Sequence, residues 1–209
     1  MKSPKIVAAL FAIAFVAASC SKEKSFSANG SNGSGTGSIQ GNWKFISTSG
    51  ITSTSTVENN SGIESKAEII LRYASSNPVG VYNISGTIFK GVGVGYDYNG
   101  KLILRQLENN VVQFEDSSDI SMPMPPSNSE SKYKLIGTDS IYFETGALSG
   151  PSAPGSTAPA VTGVGCKYKL EGNRLTFIMK TSIPQVITQN GITLKVTQST
   201  DVNIVLEKQ

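Results

Sequence analysis

From Ile39 onward, successive runs of the chain place apolar residues at every second position. That period puts one face of an extended strand into a core and the other into solvent. Glu68 to Tyr73 carries Ile69, Leu71 and Tyr73 on one face. A longer even-numbered series follows: Tyr82, Ile84, Ile88, Val92, Val94, Tyr96 and Tyr98, interrupted by glycines at 86, 91, 93 and 95. Glycine inside a strand marks a bulge or the bend of a barrel corner. Near the end, Ile192, Leu194 and Val196 alternate, and then Val202, Ile204 and Leu206. No long stretch repeats at helical spacing, so sheet is the predicted content.

The breaks between these runs predict hairpins. Asn99-Gly100 suits a tight type I′ turn, in which both central residues need positive φ, and would lead into Leu102-Ile103-Leu104. Glu171-Gly172-Asn173-Arg174 joins 166–170 to 175–180, and Asn190-Gly191 joins the last strands. Val111 to Phe114 reads as a short strand, and 132–135 with 140–144 as a further hairpin. Asp116 to Ser131 contains Met122-Pro123-Met124-Pro125-Pro126 and is expected as a loop. Proline lacks the ladder donor and is barred from a central strand. Thr145 to Gly165, rich in Gly, Ala, Ser and Pro, is expected as a long exposed loop. Lys132-Tyr133-Lys134-Leu135-Ile136-Gly137 and Lys167-Tyr168-Lys169-Leu170-Glu171-Gly172 are alike, which indicates two hairpins of one design. Many short strands joined by hairpins predict an all-β fold, an antiparallel up-and-down β-barrel of about eight strands.

The first forty residues follow other rules. Lys2 and Lys5 precede an uncharged run from Ile6 to Ala18. That run is shorter than the ~20 apolar residues a membrane-spanning helix needs, and describes a secretory signal peptide instead. Ala17-Ala18-Ser19-Cys20 resembles the bacterial lipobox, with Ala17 where Leu is usual. The resemblance implies that residues 1–19 are removed and that Cys20 receives a lipid. Ser21 to Ser38 is polar and Gly/Ser-rich, a flexible tether with a reach of about 5–6 Å × √n. The divisions are therefore 1–19 signal peptide, 20–38 lipidated cysteine and tether, and 39–209 folded domain. The expected address is the cell envelope, the outer membrane in preference to the inner. Ser21-Lys22-Glu23-Lys24 loosely resembles a surface-export tag, which leaves periplasmic and surface-facing orientations both open.

Composition narrows the chemistry. Lys2 and Lys5 account for two of the three net positive charges, so the rest of the chain is near neutral and nucleic acid is not an expected partner. Histidine is absent, which removes the commonest general base and metal ligand. With Cys20 lipidated, Cys166 has no disulfide partner and reads as a small buried strand residue. Glu115, Asp116 and Asp119 cluster, but without the alternating spacing of a calcium loop, and read as solvated charge. Asp97 falls between Tyr96 and Tyr98, on the opposite face. No catalytic residue, metal or cofactor is expected.

Gly41-Asn42-Trp43 at the start of the domain, followed by meandering hairpins and a closing alternating strand, resembles the lipocalin-like lipoproteins of the Bacteroidota type. The resemblance implies that Trp43, with Gly41, closes one end of the barrel. It also implies a membrane-anchored, non-enzymatic binder of a small apolar ligand or glycan. Tyr82, Ile84, Tyr96, Tyr98 and Phe177 would then line the ligand cavity, or simply fill the core. The alternative is a surface interaction or structural module with a solid barrel, whose loops bind a protein or polysaccharide. Asp139-Ser140-Ile141 matches a short O-glycosylation pattern of the same bacterial group, with Ser140 as acceptor.

Overall fold

The computed structural model describes residues 38–60, 62–145, 148, 162–189 and 192–209. The signal segment, Cys20, the tether before Ser38 and most of the stretch between Thr145 and Thr162 lie outside the described residues. Eight strands follow in order: β1 (Gly41–Asn60), β2 (Ile63–Ser85), β3 (Ile88–Glu108), β4 (Val111–Ile136), β5 (Ser140–Thr145), β6 (Thr162–Glu171), β7 (Arg174–Gln189) and β8 (Ile192–Lys208). Each pairs antiparallel with the next, and β8 pairs back onto β1. The predicted all-β up-and-down barrel of eight strands is the architecture, and none of the described residues is helical.

The strands are far from equal. Six run 16 to 26 residues, against a usual mean of about 5–6. β5 has 6 residues and β6 has 10. The ring is therefore complete only where the short strands reach. β4 pairs with β5 over Tyr133–Ile136, and β6 pairs with β7 over Lys167–Glu171. Past that level the other six strands continue as one sheet in the order β4-β3-β2-β1-β8-β7. Among the described residues, Val111–Glu130 of β4 and Met179–Gln189 of β7 have a strand partner on one side only.

This inequality explains the main departure from the predicted strand map. The segment 116–131 is not a loop: it lies within β4 and pairs with β3 through Tyr96↔Met124 and Asp97↔Pro123. Its prolines fall on the stretch of β4 that is an edge, beside the register shift between Val94 and Tyr96, and edges and bulges are where a sheet tolerates proline. Asn99-Gly100 is not a turn either. Both residues pair within β3, as Ala74↔Asn99 and Tyr73↔Gly100, and neither has positive φ. The turn falls ten residues later at Asn109-Asn110, with φ of 48° and 64°, the left-handed pair that a type I′ turn requires. Thr162–Gly165, expected as loop, belongs to β6.

The even-numbered series is two strands, not one. Gly86-Thr87 turns the chain between β2 and β3 and shifts the parity. Phe89 therefore points inward, fully buried, while Val92 is exposed. Register shifts between Gly91 and Val94, and between Val94 and Tyr96, then return Tyr96 and Tyr98 to the inner face. An irregularity in β2 between Ser76 and Val81 lies opposite, with Gly80 at φ 95° and its α-carbon against the backbone of Gly93 and Val94. A β-carbon on Gly80 would collide with the Gly93 carbonyl oxygen. The two bulges together form the bend the glycines predict.

The closed part of the barrel holds the fully buried core of the described residues. Trp43, Phe45, Phe89, Phe143, Phe177, Ile84, Ile141, Leu175 and Leu206 are its fully buried side chains. Phe89, Phe143 and Phe177 meet edge to face in a triangle, with centroid separations of 5.0, 5.7 and 6.0 Å. Such pairs contribute about 0.5–1.5 kcal/mol each beyond the area they bury. The paired hairpins of like sequence, β4–β5 and β6–β7, supply part of this packing through Tyr133, Ile141, Cys166 and Leu175.

Trp43 lies at the sealed end. Its indole N–H donates to the Ile39 carbonyl at 2.8 Å, and the Lys208 ammonium sits 5.7 Å from its ring centroid. Gly41 holds φ 135°, a backbone conformation that disfavours a side chain, and lies against Lys208 and Trp43. The start of β1 and the end of β8 meet here as well: the Gln209 N–H donates to the Asn42 carbonyl at 3.0 Å.

Candidate functional site

Above the packed interior the inner face of the sheet opens into a groove of about 270 Å³. The register builds it from facing positions on four strands. Thr52 and Thr54 of β1 pair with Leu71 and Ile69 of β2 on one side, and with Thr200 and Gln198 of β8 on the other; Leu71 in turn pairs with Leu102 of β3. All seven line the groove, and Ser53 and Ser199 complete its wall. Because side chains alternate across a strand, these positions continue the inward series that begins with Trp43, Tyr82 and Leu206 below.

Next to the groove along β2 and β3, on the side of the packed interior, lie tyrosines. Tyr73 and Tyr98 stack with centroids 4.7 Å apart and 20° between planes. Gly100 faces Tyr73 across the strands, and a β-carbon there would approach the Arg72 carbonyl oxygen at 2.7 Å and both tyrosine side chains at 3.2 to 3.3 Å. Gly100 therefore serves the ring stack and not a turn. Tyr96 sits lower, 5.6 Å from Phe45. Burial pushes the Tyr96 and Tyr98 hydroxyls up to about 12, with repulsion from neighbouring tyrosinate forms adding to it. Burial also raises Tyr73, against a hydrogen bond with Thr48 that lowers it.

The residues predicted to line a ligand cavity separate into two levels. Tyr82, Ile84 and Phe177 belong to the packed interior, with Phe177 fully buried and Tyr82 5.0 Å or less from Phe89 (4.9 Å). Tyr96 and Tyr98 lie between that interior and the groove. The groove walls themselves escaped the sequence reading. Thr52-Ser53-Thr54-Ser55-Thr56 and Thr197-Gln198-Ser199-Thr200 break the apolar alternation, so they carried no strand signal on hydrophobicity alone. In the first segment the signal is β-branching at every second position, Thr52, Thr54 and Thr56, which favours strand irrespective of polarity; the second segment has no such pattern. Lys208, which covers Trp43, was also missed.

The remaining candidates are placed as follows. Ser140 opens β5, half-buried, and its hydroxyl donates to an Asp139 carboxylate oxygen at 2.9 Å. Asp139 also takes an ion pair from Lys167 at 3.1 Å, and these contacts hold its carboxyl below the ordinary range. Cys166 is buried in the core and its thiol is pushed up to about 12 by burial. Asp97 accepts a hydrogen bond from Asn77 at 2.6 Å. Glu115 pairs with Arg105, and the Asp116 carboxylate accepts from the Ser117 N–H at 2.8 Å. Among the described residues, no three Cys, Asp or Glu side chains gather as a metal site. Cys20 lies outside the described residues.

Fold and groove together define an antiparallel eight-stranded barrel, plugged by aromatic residues at one end and open at the other. No family model, curated protein or solved structure matches the chain.

Proposed function

We propose that this protein is a lipid-anchored envelope protein with a lipocalin-like barrel that binds a small apolar molecule or glycan without catalysis. The observation that carries the reading is the groove beyond the Tyr73–Tyr98 stack, with Ile69, Leu71 and Leu102 on one flank and threonine hydroxyls on the other. Binding sites are concave and mostly apolar, with few polar groups that fix orientation. The anchor rests on Val16-Ala17-Ala18-Ser19-Cys20 and the Gly/Ser tether that follows. A lipid on Cys20 would hold the domain at a membrane, since each buried methylene contributes about 0.8 kcal/mol.

The test is native mass spectrometry of the protein from its own host, with two variants compared. Leu102→Arg alters the groove wall and should abolish co-purification of a small molecule. Phe177→Leu alters only the packed interior and should retain it. Loss in both variants, or a bare wild-type protein, would count against the groove as a binding site. Cys20→Ser should release the chain from the membrane fraction.

A second reading has its own support. Val111, Val112 and Phe114 on β4, and Val186 on β7, are exposed apolar residues on the two strand stretches paired on one side only. Exposed strand edges of this kind accept an added strand from a partner. A surface interaction module working through these edges would lose its partner on Val112→Lys and keep it on Leu102→Arg.

A further inference from the structure

Among the described residues, most charged side chains of the open sheet lie on its outer face. In β2, Glu64, Lys66, Glu68 and Arg72 alternate with Ser65, Ala67, Ile69, Leu71 and Tyr73, and so lie on the outer face. Lys101 and Arg105 of β3, Lys180 of β7, and Lys195 and Asp201 of β8 fall outward by the same register. Ion pairs on that outer face confirm the assignment: Lys66 with Glu68, Arg105 with Glu115, and Lys180 with Asp201. From the Tyr73–Tyr98 stack upward, the register leaves Asp116 near the free end of β4, and Glu58 and Glu108 beside the hairpin ends, as the charged positions of the inner face among the described residues. None of the three lines the groove.

The groove also has two unlike flanks. Ile69, Leu71 and Leu102 form an aliphatic wall from β2 and β3. Thr52, Thr54, Thr200 and Gln198 form a wall of hydroxyls and one carboxamide from β1 and β8. A carboxylate or ammonium entering here meets no opposite charge, and burying an unpaired charge is strongly unfavourable. A hydroxyl, ether or amide meets donors and acceptors of its own kind.

Resting on the reading of the groove as a ligand site, we infer that its ligand is an uncharged amphiphile: an aliphatic body against β2 and β3, and a neutral hydrogen-bonding group against β1 and β8. Ligand charge is the discriminating feature, because the site holds hydrogen-bonding partners and no counter-ion.

The probes are three ten-carbon amphiphiles of one tail: monodecanoylglycerol, decanoate and decylammonium. Binding to the full chain carrying Cys20→Ser is followed at pH 8 by displacement of the neutral dye N-phenyl-1-naphthylamine. Monodecanoylglycerol should bind at least tenfold tighter than either ion. Lowering the pH to 4, where decanoate takes up its proton, should close most of the gap for decanoate and none of it for decylammonium. Thr54→Lys, which places a cation in the groove, should move decanoate to the top of the ranking at pH 8; Gln198→Lys tests the same point from β8. If either ion matched the neutral probe at pH 8, the inference would be overturned while the carrier reading stood. If dye and all three probes failed to bind, both would fall together.

Discussion

The ring of Tyr73 stacks on the ring of Tyr98, and this pair is the boundary between a barrel that is full and a sheet that is open. Below it, phenylalanines pack edge to face; two residues further along β2, Leu71 already lines the groove. The stack exists because Gly100, directly opposite Tyr73, has no side chain to occupy the space.

Alkaline pH should loosen this boundary first. Tyr96 and Tyr98 titrate near 12 in the folded chain, above the ordinary tyrosine value of 10.0. Between those values the unfolded chain has released protons that the folded chain still holds, so stability falls as pH rises. The melting temperature should be level from pH 7 to 9, decline from about pH 10, and the decline should shrink in Tyr98→Phe. Tyrosinate absorbance recorded alongside the melts checks it.

Trp43 is the only tryptophan, so its fluorescence reports the sealed end alone. Trp43→Ala should cost about 3–5 kcal/mol by denaturant unfolding. Trp43→Phe should cost less, keeping the burial but losing the 2.8 Å bond to the Ile39 carbonyl. Lys208→Met removes the cation over the ring and should cost about 0.5–1 kcal/mol, with a shift in emission.

Phe177 touches both Phe89 and Phe143 and is fully buried. Phe177→Ala should destabilise by about 3–5 kcal/mol. Phe114→Ala, on the exposed part of β4, should change stability by no more than about 0.5 kcal/mol. Chemical denaturation of both variants separates core from rim.

The thiol of Cys166 is buried and held protonated by its surroundings. Reaction with a disulfide reagent needs the thiolate and access to it. In a Cys20→Ser chain, labelling at pH 8 should therefore be negligible in the native state and should appear in step with unfolding as urea is raised.

The prolines of β4 guard its edge. Replacing Pro125 and Pro126 by valine restores two donors on a strand stretch with a partner on one side only. The double variant should fold but self-associate, giving larger species by analytical ultracentrifugation than the parent chain.

Much of the architecture was legible because inward positions alternate so cleanly: Val202, Ile204 and Leu206 of β8 are buried as their spacing predicts. The paired hairpins of like sequence also fall where expected. What misled was punctuation. Asn-Gly at 99 and 100 has the chemistry of a turn, yet the pairing partners on both sides keep it extended, and the turn went to Asn109-Asn110. Proline at 123, 125 and 126 has the chemistry of a loop, but an edge tolerates it. The groove was the least legible part, since half its wall is threonine and serine, residues that hydrophobic periodicity does not count. Lys208 beside the Trp43 ring was not foreseen, because it lies at the far end of the chain.

β1 begins and β8 ends side by side at the plugged end, where Gln209 bonds Asn42. A short peptide joining 209 to 39 would therefore circularise the domain with little disturbance, and new termini could be cut at a hairpin tip. The same adjacency means that whatever joins the domain at Ile39 or at Gln209 joins it on the far side from the groove, leaving the mouth free to be presented outward.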